Sequence, residues 1–448
     1  MRIAHRRQTK LTAPRSAHLR AKELADIDQL LEDTPTLAAL VAADLPHGDG
    51  VSADTGRPGM TGEQVLRAAI IRTMEGFTYD ELEFHLSDSQ TYRWFCRLGW
   101  GEKHPSASTL QENIRRVQPS TWEAVSRAVV SVAVERGVEP GDKTRIDCTV
   151  TLSNIHPPDD AAQLYDVVRV VTRLLIRADK LRPGIAFHDR TRRAKRRRLG
   201  VMETKAERRT FAYTDLLKVT GEVLSWVADA VAALRAVGAP GDEAAQVADE
   251  LEHYAALGLR VVDQTRRRVI GKEKVPAQDK VVSIFEPHTD IIIKDKRDVL
   301  YGHKILVATG ATGLVQHCSV LDGNPADSTL VKQALTQVTA ALGKVPRQAA
   351  MDGGFASAEG LAIAKAAGVQ DVCFSKRRGM AITDMAKSTW VYRKLWRFRA
   401  GIEAGISWLK RCFGLGRCNW RGGDGFHAYV HSGVVAFNLL LLARLTAT

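Results

Sequence analysis

The spacing of apolar positions changes three times along this chain. From residue 24 to 137 they recur every three or four residues, as in "TGEQVLRAAIIRTMEGFTYDELEFHLSDSQTYRWFCRLGW" (61–100), the period of amphipathic helices. Thr61 with Gln64, and Thr78 with Glu81, have capping-box spacing and mark two helix starts. "SDS" breaks the pattern before "QTYRWFCRLG" resumes it, and this helix–tight turn–helix layout suits DNA binding. A further helix is expected in "PSASTLQENIRRV", capped by Ser106 or Ser108, with Arg115 and Arg116 exposed as DNA-binding candidates. Short helical pairs also occur in domains that never touch DNA, so spacing alone leaves both readings open.

At residue 143 the period becomes that of a strand, in "KTRIDCTVTLSN". Residues 160–280 return to helical spacing. After 280, strands are expected in "VVSIFEP", "DIIIKD", "HKILVATGATG", "LVQHCSVLDG", "PRQAAMD" and "DVCFSK", with helices in "DSTLVKQALTQVTAALG" and "SAEGLAIAKAAG". Strands joined by turns, followed by strand–helix–strand, predict a mixed sheet with helices packed on it. The longest apolar run, Val434–Ala443, is interrupted by Asn438 and is too short to cross a bilayer, so it reads as a buried helix. The expected organisation is a basic flexible arm (1–23), an all-α DNA-binding domain (24–137), an α/β domain (138–159 with 281–448) and a helical insertion (160–280).

Charge adds a partner. Lys and Arg number 64 against 51 Asp and Glu, a net charge of +13, and the estimated pI of 9.5 points to a polyanion. The run "RTRRAKRRR" (190–198) has seven basic residues in nine, which marks Arg192, Arg193, Arg196 and Arg197 as phosphate-binding candidates; its bland alternative is a solvated face. The basic N-terminus has no apolar core and is not a secretory signal. Six cysteines without a C-x-x-C motif fit reduced thiols rather than a disulfide framework or a zinc knuckle.

Three acids carry the candidate chemistry. Asp147 lies within the first strand. Asp352 ends a buried strand and precedes Gly353-Gly354-Phe355, where glycines permit a sharp turn that leaves a strand-end carboxylate uncovered. Glu403 sits in the helix-like segment "FRAGIEAGISWLKRCFG" (398–414). At roughly 100° per residue, Trp396, Arg399, Glu403 and Lys410 share one stripe. Phe398, Ile402, Ile406, Leu409 and Phe413 form the neighbouring apolar stripe. Each acid alone has an ordinary explanation, such as a turn or an i,i+4 ion pair. Together they are an all-oxygen set suited to Mg²⁺ or Mn²⁺, able to clamp a phosphodiester, with Arg399 and Lys410 holding phosphates alongside. No P-loop, nucleophile elbow or metalloprotease His pair competes with this reading.

These motifs carry a family resemblance. Arg399-x3-Glu403-x6-Lys410 resembles the signature around the catalytic Glu of DDE transposases of bacterial insertion sequences, with Trp396 where that pattern has a Tyr. Asp352-x-Gly354-Phe355 resembles their second-Asp motif and "RIDCTVTLSNIHPPDD" the first. "SIFEPHTDIIIKDKRDVLYGHK", "DGNPADSTL" and "DGGFAS" look like the ISNCY-type group. The likeness runs from about residue 55 to the C-terminus. It implies a ribonuclease-H-like catalytic fold that brings Asp147 beside Asp352, with Glu403 as third metal ligand. It further implies a Mg²⁺ enzyme that binds the terminal inverted repeats in double-stranded DNA, cleaves at the element ends and transfers the 3′-hydroxyls to target DNA. Such an enzyme would work as a homo-oligomer on DNA, in the bacterial cytoplasm at the nucleoid. The alternatives are a metal-dependent nuclease without strand transfer, a non-catalytic DNA-binding relic and an RNA-binding protein, the last fitting the charge but not the acids.

Overall fold

The structure, a computed structural model, describes residues 17–45, 59–99, 101–202, 205–239, 241–294 and 298–447. The chain forms two compact units, residues 1–152 with 303–448, and residues 153–302.

Among the described residues the first unit opens with seven helices: α1 (Leu19–Asp33), α2 (Thr36–Ala43), α3 (Gly62–Glu75), α4 (Tyr79–Asp88), α5 (Gln90–Phe95), α6 (Ala107–Arg116) and α7 (Pro119–Glu135). Both expected capping boxes form, Thr61 with Gln64 on α3 and Thr78 with Glu81 on α4. Residues 1–16 of the expected basic arm lie outside the described residues. The rest of that arm is not free: Leu19–Glu23 are the first turn of α1. His18 accepts a bond from the Arg20 N–H, and Arg20 pairs with Glu23 and Glu75, each at 2.7 Å. Leu24, Ile27, Leu30 and Leu31 then bury the helix face.

The stretch expected to read helix–tight turn–helix forms two helices. α4 and α5 are separated only by Ser89, and α5 has six residues, with Phe95 buried and its Tyr92 packed edge-on against Phe77 and His85. Arg115 and Arg116, expected to be exposed, are half-buried. Arg115 lies over the Trp420 ring and Arg116 pairs with Glu112 at 2.9 Å. Most arginines of this region are internal ties. Arg67 is fully buried against Asp28 and Glu63, and Arg93 donates to the Leu86, Gly99 and Glu102 carbonyls.

β1 (Lys143–Leu152) follows, and the chain enters the second unit. This contains α8 (Asp160–Leu181), α9 (Thr191–Val201), α10 (Ala206–Ser225), α11 (Val227–Arg235), α12 (Glu243–Thr265) and β2 (Asp290–Lys294). Its helices share one apolar core around Leu164, Val168, Leu216 and Leu251. β2 pairs antiparallel with residues 298–302, the start of β3 (Asp298–Thr309). The strand expected in "VVSIFEP" does not form. The Gln264 side chain binds both the N–H (2.8 Å) and the carbonyl (3.0 Å) of Val281, so an amide replaces a neighbouring strand while Val281, Val282 and Ile284 remain buried.

The first unit resumes with β4 (Val315–Val320), α13 (Val331–Leu342), β5 (Gln348–Met351), α14 (Ala358–Ala366), β6 (Asp371–Phe374), α15 (Ile382–Met385), α16 (Thr389–Cys412) and α17 (Gly423–Thr446). Strand order in this unit is β4–β3–β1–β5–β6, with β4 antiparallel to β3 and β1, β5 and β6 parallel. β3 is buried on both faces: Ile305 and Val307 join the core of α17 and the N-terminal helices, and Leu306 and Ala308 join that of α13 and β5. By length and composition α17 could cross a bilayer, but 89% of its most apolar window is inside the protein. The interrupting Asn438 has a job there, since its amide binds both the N–H (2.9 Å) and the carbonyl (2.8 Å) of Val315 at the start of β4.

Candidate active site

Strand register brings the first two acids together. Ile146 of β1 is opposite Met351 of β5 in the parallel pair, and Asp147 and Asp352 are the next residues on each chain. β5 ends at Met351 because Asp352 opens a tight turn through Gly353–Phe355. That turn needs its glycine. A Cβ on Gly354 would collide with the Asp327 carboxylate.

The third acid comes from α16. Ser388 caps this helix, and Val391, Leu395, Ile402 and Leu409 bury one face. Of the expected apolar stripe, Ile402, Leu409 and Phe413 are buried, while Phe398 and Ile406 are half-buried. Arg145 of β1 fixes the helix against the sheet. It donates to the Phe398 carbonyl (3.0 Å) and the Thr309 hydroxyl (2.9 Å), and its guanidinium fills the space that a Cβ on Gly401 would take.

Arg399 joins the three acids. Its Nη1 is 3.1 Å from Glu403 Oε1, and its Nη2 is 3.0 Å from Asp352 Oδ1 and 3.5 Å from Asp147 Oδ2. The carboxylates thus converge on one guanidinium. Lys410 is half-buried two turns further along α16. Among the described residues no three His, Cys, Asp or Glu side chains are yet close enough to hold a metal ion.

The site is electrostatically loaded. Burial pushes the Asp147 carboxyl up to about 6; the Cys148 N–H at 2.7 Å opposes this, Asp352 and Asp327 add to it, and Arg399 offsets part of it. Asp352 is held below the usual carboxylate range. Burial raises it, but the Ser375 hydroxyl (2.9 Å), the N–H groups of Gly353 and Gly354, and Arg399 together prevail. Asp327 pairs with Lys304 at 2.5 Å. Burial, with the Asp327 charge adding to it, drives the Cys148 thiol upward, so this cysteine is no nucleophile. All six cysteines are free thiols.

Sequence reasoning missed Arg145, Lys304, Asp327 and Ser375 as site residues. The first three lie inside stretches that carried the resemblance, "RIDCTVTLSN", "VLYGHK" and "DGNPADSTL". Their value in the sequence was concealed, because only the fold turns them toward Asp147 and α16. In the second unit the basic run forms α9. Arg193 and Arg197 both bind Asp215, whereas Arg192 and Arg196 are exposed.

A mixed sheet thus brings Asp147 on β1 and Asp352 just after β5 to Glu403 of a helix, an all-oxygen group of carboxylates gathered on one guanidinium. Residues 14–116 match a family described as a transposase domain (DUF772), and residues 259–439 match the transposase DDE domain family. No curated protein and no solved structure matches the chain. These two matched segments are the domains of a DDE transposase of an insertion sequence, a metal-dependent polynucleotidyl transferase.

Proposed function

We propose that this transposase binds the terminal inverted repeats of its insertion sequence, hydrolyses the phosphodiester at each end, and joins the freed 3′-hydroxyls to target DNA. The observation that carries the reading is the meeting of Asp147, Asp352 and Glu403 on the Arg399 guanidinium. The β4–β3–β1–β5–β6 order, antiparallel between β3 and β4 and parallel through β1, β5 and β6, supports a ribonuclease-H-like catalytic fold.

The residues fit a hard divalent cation. Their donors are all oxygen, and the half-buried Asp147 carboxylate, flanked by Asp352 and Asp327, favours positive charge beside it. Asp147, Asp352 and Glu403 would hold Mg²⁺, with Mn²⁺ able to substitute, and the bound ion would supply Lewis-acid activation of the attacking oxygen and charge relief at the leaving oxygen. Ser375 and the turn at Gly353–Gly354 orient Asp352, and Arg145 holds α16 so that Glu403 faces the strands. Arg399 and Lys410, cations on the same stripe of α16 as Glu403, are the candidates to hold DNA phosphates beside the acids.

End recognition is assigned to residues 24–137, within which the transposase-domain match mostly falls. The exposed cations Arg192 and Arg196 of α9, in the 160–280 insertion, add sequence-independent phosphate contacts. The enzyme acts as a homo-oligomer on double-stranded DNA in the bacterial cytoplasm, at the nucleoid. The test uses a labelled element end with Mg²⁺. Repeat DNA should be bound about 10³-fold more tightly than scrambled DNA, then cut and joined to a target plasmid. Cutting without joining would reduce the enzyme to a nuclease, and equal binding of both DNAs would remove the helical region as reader.

A further inference from the structure

The N-terminal half of α16 presents a second basic surface, separate from the acidic one. A cavity of about 290 Å³ opens where this helix crosses the starts of β1 and β5. Its rim is cationic: Lys143 begins β1, Arg347 precedes β5, Lys387 precedes α16 and Lys394 lies on the helix. The rim acid, Asp142, is already paired with Lys344 at 3.0 Å. The floor is apolar, made of Val391, Leu395 and Phe398. Over the opening stands Trp390, 64% exposed, with the Lys394 ammonium 3.9 Å from its ring centre. A large aromatic left in solvent has a cost that burial would recover.

The site lies away from the carboxylates. Trp390 precedes Arg399 by nine residues, roughly 13 Å along the helix axis, about four base steps of B-form DNA. Arg399 lies about 180° around the helix from Trp390, and the pocket residues fall between 0° and 140°. The pocket sits at the starts of β1 and β5, whereas Asp352 follows the end of β5. A phosphate held at the acidic site therefore does not occupy this one.

We propose that this pocket binds an unpaired DNA strand, with one base stacked on Trp390 and the adjoining phosphates held by Lys143, Arg347 and Lys387. Cations around an aromatic platform are the composition that single strands require. The phosphates need charge and every base offers a face to stack, while a duplex keeps its bases away from the indole. A volume near the lower end of ordinary ligand pockets suits one nucleotide rather than a paired segment. The strand is DNA frayed or opened beside the element end or in the target.

This inference rests on the reading that the chain binds DNA ends, and the experiment separates the two. Full-length wild type, Trp390→Ala and the double variant Lys387→Gln/Arg347→Gln are titrated without divalent metal against two labelled DNAs. One is a blunt repeat duplex, the other the same duplex with a four-nucleotide single-stranded extension. Wild type should bind the extended DNA about 10-fold more tightly, the factor one stacked base supplies. Trp390→Ala should erase that preference and leave blunt-duplex affinity unchanged, and the double variant should lower the salt slope on extended DNA by about 1.4. Equal preference in wild type and Trp390→Ala overturns the inference while the proposed function stands. Failure of wild type to bind either DNA overturns both. Sedimentation of the free proteins adds a third arm: if Trp390→Ala breaks a dimer and leaves the preference intact, the surface is a protein interface and the inference falls.

Discussion

Arg399 and Asp352 are 3.0 Å apart, and through this contact α16 is fastened to the end of β5. The same guanidinium reaches Glu403 one helical turn on and Asp147 across the sheet. A single positive charge cannot neutralise three carboxylates. Burial of Asp147 makes the imbalance costly, and its carboxyl responds by binding a proton more readily. In the absence of a divalent ion, Arg399 is therefore the counter-ion of the site.

Asp147→Asn, Asp352→Asn and Glu403→Gln should each abolish cleavage while leaving binding of repeat DNA within about twofold. Each change keeps size and hydrogen bonding but removes a charge that the divalent ion needs. Cleavage of a labelled end across a Mg²⁺ series is the measurement. Full activity in Glu403→Gln would remove that residue from the metal site.

Arg399→Ala should expose the like-charge repulsion. Without metal and above pH 6, its melting temperature should fall below that of wild type, and added Mg²⁺ should raise it more than in wild type. Calorimetry should show tighter metal binding as the competing cation is removed. Cleavage should still drop, because the phosphate contact is lost. Unchanged metal affinity would mean that Arg399 does not compete for the carboxylates.

Asp147 sets a pH dependence whose sign is fixed. Its folded-state value of about 6 lies above the ordinary 3.8, so between these limits the folded protein holds a proton that the unfolded chain releases. Metal-free stability should therefore fall as pH rises from 4 to 6, by up to roughly 3 kcal/mol from this group. Cleavage should move the other way, lost as pH drops through about 6 and the carboxylate is protonated. Asp352, held low, stays ionised over this range. Asp147→Asn should remove this part of the stability slope in urea titrations. An unaltered slope would place the proton elsewhere.

The helical spacing and capping signals of α3 and α4 were legible in the sequence because they are local, with donor and acceptor three residues apart. The strands β1 and β5 were legible from their β-branched or apolar runs. The run 281–287 reads as a strand for the same reason, yet a single distant side chain, Gln264, takes its backbone groups. Exposure of Arg115 failed similarly, since Trp420, which covers it, comes from the far end of the chain. The three acids could be singled out one by one, but their convergence depends on the parallel register of β1 and β5. Arg145 and Asp327 were invisible as site residues because both act through neighbours brought by the fold.

The basic run of α9 should divide by function. Arg192→Gln with Arg196→Gln removes two exposed charges and should flatten the salt dependence of DNA binding by about 2 units of slope, with stability unchanged. Arg193→Ala with Arg197→Ala leaves Asp215 without its two partners and should destabilise the protein by about 1–3 kcal/mol. Filter binding across a salt series and thermal melts separate the pairs. Equal salt slopes for both pairs would deny the division.

Gly401 and Gly405 stand one turn apart on α16 and should respond oppositely to alanine. In an exposed helix interior, Gly→Ala gains up to about 1 kcal/mol. Gly405 has nothing within 4 Å of an added Cβ, so Gly405→Ala should stabilise by about that amount and leave cleavage intact. At Gly401 the added methyl meets the Arg145 guanidinium. To make room, Arg145 must give up the Phe398 carbonyl or the Thr309 hydroxyl, and hydrogen bonds to a charged group contribute about 1.5–3 kcal/mol each. The helix gain offsets only part of that, so Gly401→Ala should lose roughly 1–2 kcal/mol in net stability. Its larger effect should be on chemistry, because Arg145 ties α16 to β1 at Phe398, five residues before Glu403. A shift of that helix by about 1 Å is enough to cost on the order of 100-fold in rate. Melting and single-turnover cleavage of both variants, side by side, are the test. If Gly401→Ala cleaves as fast as Gly405→Ala, Arg145 does not position the helix, and the placement of Glu403 must come from the apolar face of α16 alone.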